Sequence, residues 1–263
     1  MARFHKMHGL GNDFVIFDRE GVRMDGPVAR AIADRNTGVG CDQLIVVEPD
    51  RDGVHMRIWN ADGGEVEACG NAARCVAALV GPGPIRTAGG ELLGEPDGDR
   101  ATVSLPPPRF EWDAIPLAYP MDTASMPVGW DGLGKPAAVN VGNPHILFFV
   151  ADADTVDLAQ LGPRIETDPL FPERVNVNVA SKDGDGLQLR TWERGAGLTR
   201  ACGTGACATA VVAIRRGLAR SPVTVTMPGG VLEVAWTPGE PIRMSGPATH
   251  VFTGDIDLAA FRG

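Results

Sequence analysis

The chain repeats itself. Displaced by 133 residues, Arg57-Ile-Trp59-Asn60 falls on Arg190-Thr-Trp192-Glu193, Gly64 on Gly197, and Ala68-Cys69-Gly70-Asn71 on Ala201-Cys202-Gly203-Thr204. Between positions 57 and 73, seven of seventeen aligned residues are identical, Trp and Cys among them. A second match lies upstream at a displacement of 131. There Gly11-Asn12 precedes Phe14-Val15-Ile16-Phe17, and Gly142-Asn143 precedes His145-Ile146-Leu147-Phe148. Two motifs recurring in one order at nearly one spacing mark a tandem duplication. With 263 residues the chain is long enough for two similar domains, each with a core of its own.

Local patterns agree between the halves. Phe14–Phe17 and Ile146–Val150 are short apolar runs after a Gly-Asn turn and read as strands. His55–Trp59 and Leu187–Trp192 alternate and read as strands too. Behind each repeated cysteine comes a stretch of small apolar residues, Asn71–Val80 and Gly205–Arg216, suited to a buried helix. The expected architecture is α+β: two pseudo-symmetric mixed-sheet domains, each wrapped on a central helix. Pro106-Pro107-Pro108 cannot continue a helix or a central strand and ends the first half. The expected domains are 1–113 with 248–263, the strand-like run Ala248–Thr253 returning to the first domain, and 114–247.

Composition narrows the function classes. A net charge of −9 argues against nucleic-acid or anionic-membrane partners, which need a basic face. No apolar run approaches the roughly 18 residues that span a bilayer, and the basic N-terminus has no apolar signal core behind it. Five cysteines are an odd and sparse set for a disulfide framework, so a cytoplasmic location is expected.

The two Cys-Gly turns carry the chemistry. A cysteine opening a helix sits beside unpaired N–H groups and the positive end of the helix dipole, which favour a thiolate below its usual pKa of about 8.5. Gly70 and Gly203 let a ligand approach the backbone, and the same N–H groups can hold a carboxylate. Two such turns suit stereo-inversion: one thiolate removes an α-proton and the other thiol returns one to the opposite face. Cys41, Cys75 and Cys207 read as structural thiols. Spacings of six and five residues between the paired cysteines do not fit zinc, and there is no C-x-x-C pair for a redox dithiol.

The ordered motifs resemble the diaminopimelate epimerase family. They are Met7-His-Gly-Leu-Gly-Asn12-Asp-Phe, Gly38-Val-Gly-Cys-Asp42-Gln43-Leu, Ala68-Cys69-Gly-Asn71, Gly142-Asn143-Pro-His145, Arg174-Val-Asn176, Glu193-Arg194-Gly-Ala-Gly and Ala201-Cys202-Gly-Thr204-Gly. The resemblance implies interconversion of LL- and meso-2,6-diaminoheptanedioate in lysine and peptidoglycan precursor synthesis, with neither metal nor cofactor and a homodimer as the expected assembly. It implies Cys69 and Cys202 as the acid/base groups, with His145 and Glu193 supporting the amino group and thiol chemistry. Gly70, Asn71, Gly203 and Thr204 would hold the reacting carboxylate through their backbone. Asn12, Gln43, Asn60, Asn143, Asn176, Glu193 and Arg194 would line the pocket for this small-molecule substrate. Leu198 stands where the family commonly has an acidic residue, and Gly81-Pro-Gly-Pro-Ile85 looks like a shortened linker. Proline racemase and hydroxyproline epimerase share the two-cysteine logic but typically carry Cys-Gly-His at the first turn, where this chain has Cys69-Gly70-Asn71. A proline-type racemase is therefore the alternative within enzymes, and an amino-acid-binding or redox-sensing module the alternative outside them.

Overall fold

The computed structural model describes residues 1–18 and 21–262. By packing the chain divides into two units, Met1–Ser104 with Ser245–Gly263, and Leu105–Met244. The first unit opens with the hairpin β1 (Ala2–Gly9) and β2 (Asn12–Phe17), whose turn holds Gly11 at φ 82°, a left-handed conformation suited to glycine. Helix α1 (Gly26–Ala33) starts where the Asp25 side chain accepts from Val28 N at 3.0 Å, with a proline in the first turn. It carries the chain to β3 (Gln43–Asp50), parallel to β2, and β4 (Gly53–Asn60) returns antiparallel. After the short β5 (Glu65–Val66), helix α2 (Gly70–Val80) makes a second crossover to β6 (Gly83–Thr87), parallel to β4. Strands β7 (Gly90–Asp97) and β8 (Arg100–Leu105) follow antiparallel.

The second unit repeats this order behind a short ribbon, β9 (Gly129–Trp130) and β10 (Leu133–Gly134). Hairpin β11 (Ala137–Asn140) and β12 (Pro144–Phe149) turns through Gly142 at φ 110°. Helix α3 (Leu158–Glu166), capped by Asp157, crosses to β13 (Asn176–Asp183), parallel to β12, and β14 (Gly186–Glu193) returns antiparallel. After β15 (Gly197–Thr199), α4 (Gly203–Arg215) crosses to β16 (Val223–Met227), parallel to β14, followed by β17 (Gly230–Ala235) and β18 (Ile242–Pro247). The last strand, β19 (Thr249–Ile256), belongs to the first unit and pairs antiparallel with β1.

In each unit the central strands of the sheet are buried on both faces. Val15, Phe17, Leu44, Val46 and Trp59 form one core with Val28, Ala29, Ile32 and Ala33 of α1. The intervening Phe14, Ile16, Ile45 and Ile58 are fully buried as well, and α2 packs against β1, β2, β6 and β7. Burial on both faces explains why Phe14–Phe17 is a continuous apolar run rather than an alternating one. In the second unit Ile146, Phe148, Val177 and Val179 pack on Leu158, Leu161 and Ile165 of α3. Helix α4 lies buried from Ala206 to Ala213, its small side chains letting strands close around it. The fold is α+β with one buried helix per unit, as the duplication implies.

Two local readings change. Residues 81–85 are no linker: Gly81 caps α2 at φ 95° and Gly83–Thr87 is strand β6, paired on both sides. Residues 105–113, expected in the first domain, pack with the second unit. Arg109 and Asn140 exchange backbone hydrogen bonds of 2.8 and 2.9 Å, and Asn140 Nδ2 donates to Ala114 O at 2.7 Å.

Gly162 shows how tightly α3 lies on its sheet. A Cβ there would come within 2.5 Å of the Trp192 ring, which cannot turn away because its Nε1 donates to Glu166 Oε2 at 2.7 Å. Alanine gains about 0.5–1 kcal/mol of helix preference over glycine, but overpacking a fixed ring costs about 1–3 kcal/mol. Gly162→Ala is expected to lower the melting temperature by roughly 2–8 °C in a calorimetric scan. An unchanged or raised value would contradict this packing.

Candidate active site

Strand register gathers the polar residues. In the first unit Phe14 pairs with Gln43 and Gln43 with Asn60, so the start of β2, the start of β3 and the end of β4 share one end of the sheet. In the second unit His145 pairs with Asn176 and Val177 with Trp192, which brings Asn176 beside Glu193 by the same arrangement. A helix opened by cysteine leaves that end in each unit. This is the carboxyl end of β4 or β14 at a parallel crossover, where α/β sheets bind ligands.

Cys69 is the N-cap of α2 and is half-buried. Its Sγ faces Asn12 Oδ1 at 3.9 Å, and Asn71 Nδ2 donates to the same oxygen at 3.3 Å. The Asn12 amide cannot face the other way, because its Nδ2 donates to Asp42 Oδ2 at 3.0 Å. Asn71 is fixed in turn by the fully buried Arg74, whose Nη2 donates to Asn71 Oδ1 at 3.0 Å. Gln43 Nε2 donates to Asn60 Oδ1 at 2.9 Å, while Gln43 Oε1 is buried without a hydrogen-bond partner among the described residues. A buried acceptor left alone costs about 1–3 kcal/mol, which a ligand N–H would offset.

Cys202 is the N-cap of α4, and its Sγ accepts from Gly205 N at 3.3 Å and lies 3.5 Å from Thr204 Oγ1. The helix start does not lower this thiol as the sequence suggests. Burial pushes Cys202 well above its usual range, and the Glu193 carboxylate adds to the rise, against the Thr204 and Gly205 hydrogen bonds. Burial also raises Glu193, against hydrogen bonds from Thr199 and Cys202. Thr199 Oγ1 donates to Glu193 Oε1 at 2.5 Å.

Asn143 bridges Thr204 Oγ1, at 3.3 Å from its Nδ2, and His145 Nε2, at 2.8 Å from its Oδ1. His145 is fully buried, and burial aided by Arg194 lowers its pKa to about 3. It is therefore a neutral ring at any working pH, set behind Asn143 rather than against the thiol. Asn176 Nδ2 donates to Pro144 O at 2.9 Å and its Oδ1 accepts from Arg194 N at 2.9 Å, so it shapes the turn after β14. Arg194 is exposed, and its Nη1 donates to Glu173 O at 3.1 Å.

Asp42, Thr199, Asn178 and Thr191 escape sequence reading. Asp42 lies inside a quoted motif, but only the fold brings it to Asn12. Asn178 alternates with valines and looks like an ordinary solvent-facing position, Thr191 falls in phase with the buried Leu187 and Leu189, and Thr199 ends a strand too short to show a pattern. The structural thiols behave as read: burial pushes both Cys41 and Cys75 up to about 12. No group of three or more His, Cys, Asp or Glu side chains able to hold a metal occurs among the described residues. Among the described residues no helix is long and apolar enough to cross a membrane.

Each of the two units is a sheet around a helix that a cysteine opens. The structure is similar to that of a probable proline racemase from Agrobacterium radiobacter K84, with a TM-score of 0.69 over 98% of this chain and 93% of that one. At 15% identity that likeness establishes the fold alone. Sequence goes further. The profile of the diaminopimelate epimerase family matches residues 4–101 and 137–251. The diaminopimelate epimerase of Sphingopyxis alaskensis is 66% identical over 264 residues, covering 98% of each chain. That of Rhizorhabdus wittichii is 62% identical over 266 residues, covering 99% of this chain and 97% of its own. The chain belongs to the diaminopimelate epimerase family.

Proposed function

We propose that this protein is an isomerase that interconverts LL-2,6-diaminoheptanedioate and its meso isomer, using Cys69 and Cys202 as its two acid/base groups. The observation that carries this reading is the repeated site: in each unit a cysteine caps a helix at the polar end of the sheet. Inversion of an α-carbon needs one group to remove a proton from one face and a second to return a proton to the other. Exchanging the roles of the two thiols runs the reaction backwards, which suits a duplicated pair.

The α-proton of an amino acid is very weakly acidic, so the carbanion needs electrostatic help. Helix-start N–H groups, at Gly70-Asn71 in one unit and Gly203-Thr204 in the other, are preorganised donors suited to hold a carboxylate and supply that help. A substrate ammonium group supplies the donor that Gln43 Oε1 lacks, with Asn12, Asn60, Asn143, Asn176 and Arg194 completing the polar lining. Glu193, raised by burial and hydrogen-bonded to Cys202, steadies the proton on that thiol and accepts from the substrate's amino group. The reading carries a cytoplasmic location, where thiols stay reduced, and a homodimeric assembly acting on a small molecule.

The test is to incubate the reduced protein with the LL isomer in deuterium oxide. The expected product is the meso isomer with deuterium at the inverted α-carbon. Inversion of proline instead, or exchange on no amino acid, would overturn the reading.

A further inference from the structure

One chain of hydrogen bonds behind Cys202 has a single direction as far as the Thr204 hydroxyl. It begins at Asn178, fully buried on β13, whose Oδ1 accepts the Thr191 hydroxyl at 3.0 Å. Its Nδ2 donates to Ile146 O at 3.1 Å and to Asn176 O at 3.4 Å, and two carbonyl acceptors fix which end of the amide is nitrogen. The same Nδ2, which has two hydrogens to donate and no lone pair to accept with, also faces His145 Nδ1 at 3.0 Å, so Nδ1 offers a lone pair. A neutral imidazole accepting at Nδ1 carries its hydrogen on Nε2, which lies 2.8 Å from Asn143 Oδ1. The Asn143 Nδ2 then points at Thr204 Oγ1, 3.3 Å away. With one of its two lone pairs engaged, the Thr204 hydroxyl keeps its one hydrogen to offer to Cys202 Sγ, 3.5 Å away, as a donor that favours the thiolate.

The first unit ends with the opposite polarity. Phe14 occupies the place of His145, and the Asn12 amide is turned by Asp42 so that an oxygen, not a donor, faces Cys69. Asn178 and Thr191 also lie directly beneath the start of α4. A Cβ on Gly205 would meet Asn178 Oδ1 at 2.7 Å and Thr191 Oγ1 at 2.9 Å, while Gly205 N donates to Cys202 Sγ.

We propose that Asn178, held by Thr191, is a positioning residue that locks His145 in its Nε2–H form and so directs a hydrogen bond onto Cys202. The proposal rests on Cys202 being an acid/base group, yet its first test does not depend on turnover. In the wild-type protein, ¹⁵N NMR of the His145 ring is expected to show the Nε2–H tautomer, with no titration between pH 5.5 and 9. An Nδ1–H ring or an imidazolium at neutral pH would overturn it.

In Asn178→Val the ring loses its fixed partner and Nδ1–H signal is expected to appear. The midpoint of Cys202 alkylation should move to higher pH, because the lost Thr204 donor favoured the thiolate. With the site misaligned, kcat should fall roughly 10²-fold with a smaller change in KM. A folded Asn178→Val with an unchanged ring and wild-type kcat would overturn the proposal. Thr191→Val and Thr191→Ser carry the test if that variant does not fold. Serine keeps the hydroxyl and should restore the tautomer and kcat that valine loses, whereas equal behaviour of the two would sink the idea. Failure of the wild-type protein to invert the LL isomer would instead remove the functional reading and leave the tautomer result standing.

Discussion

Cys202→Ala and Cys69→Ala are each expected to abolish inversion, lowering turnover of the LL isomer on the order of 10⁴-fold, the upper range for losing a general acid or base. The two losses are not additive. Inversion requires both a proton acceptor and a proton donor, so the double variant should be no worse than either single one. Folding should survive. Cys69 is half-buried, and although Cys202 is buried, deleting one sulfur leaves a small void that costs about 1–2 kcal/mol. Circular dichroism and thermal melts would check this beside the turnover assay. Near-wild-type turnover in either single variant would refute the two-base mechanism. Residual exchange of the substrate α-proton without inversion is the expected trace of the remaining thiol.

Glu193→Gln is the second large effect. Glu193 is hydrogen-bonded to Cys202 and to Thr199, and its carboxylate opposes ionisation of the thiol. Glutamine keeps the shape and a hydrogen-bonding oxygen but removes the charge. Two consequences oppose each other. The midpoint of Cys202 alkylation should move down in pH, because one of the causes holding the thiol up is gone, while burial keeps it above the ordinary value. Turnover should nevertheless fall by about 10²-fold or more, since the thiol loses the neighbour that steadies its proton. A more reactive thiol in a slower enzyme distinguishes a proton-steadying role from a merely structural one. If Glu193→Gln lowers turnover and leaves the alkylation midpoint in place, the carboxylate acts on the substrate alone.

Sequence by itself determined the duplication, and with it the α+β class, both cysteines, the glycines beside them and the strands on either side. These features are local. A Gly-Asn turn, an alternating strand and a Cys-Gly helix start are each written in adjacent residues and are written twice. Helices α1 and α3 went unread although Asp25 with Pro27, and Asp157, are ordinary start signals. Neither helix is repeated in the residues themselves, so the self-comparison that exposed the other elements passed over them.

Tertiary structure decided what those local features do. Register across β2, β3 and β4, and across β12, β13 and β14, brings Asn12, Gln43 and Asn60 to one sheet end and His145, Asn176 and Glu193 to another. Burial then changed the expected chemistry. Cys202, which a helix start should acidify, is pushed up by desolvation and by Glu193, and His145 is held neutral by burial beside Arg194. Both outcomes depend on which groups lose water and which amide end faces which ring nitrogen. Those are distances between strands, and no spacing along the chain encodes them.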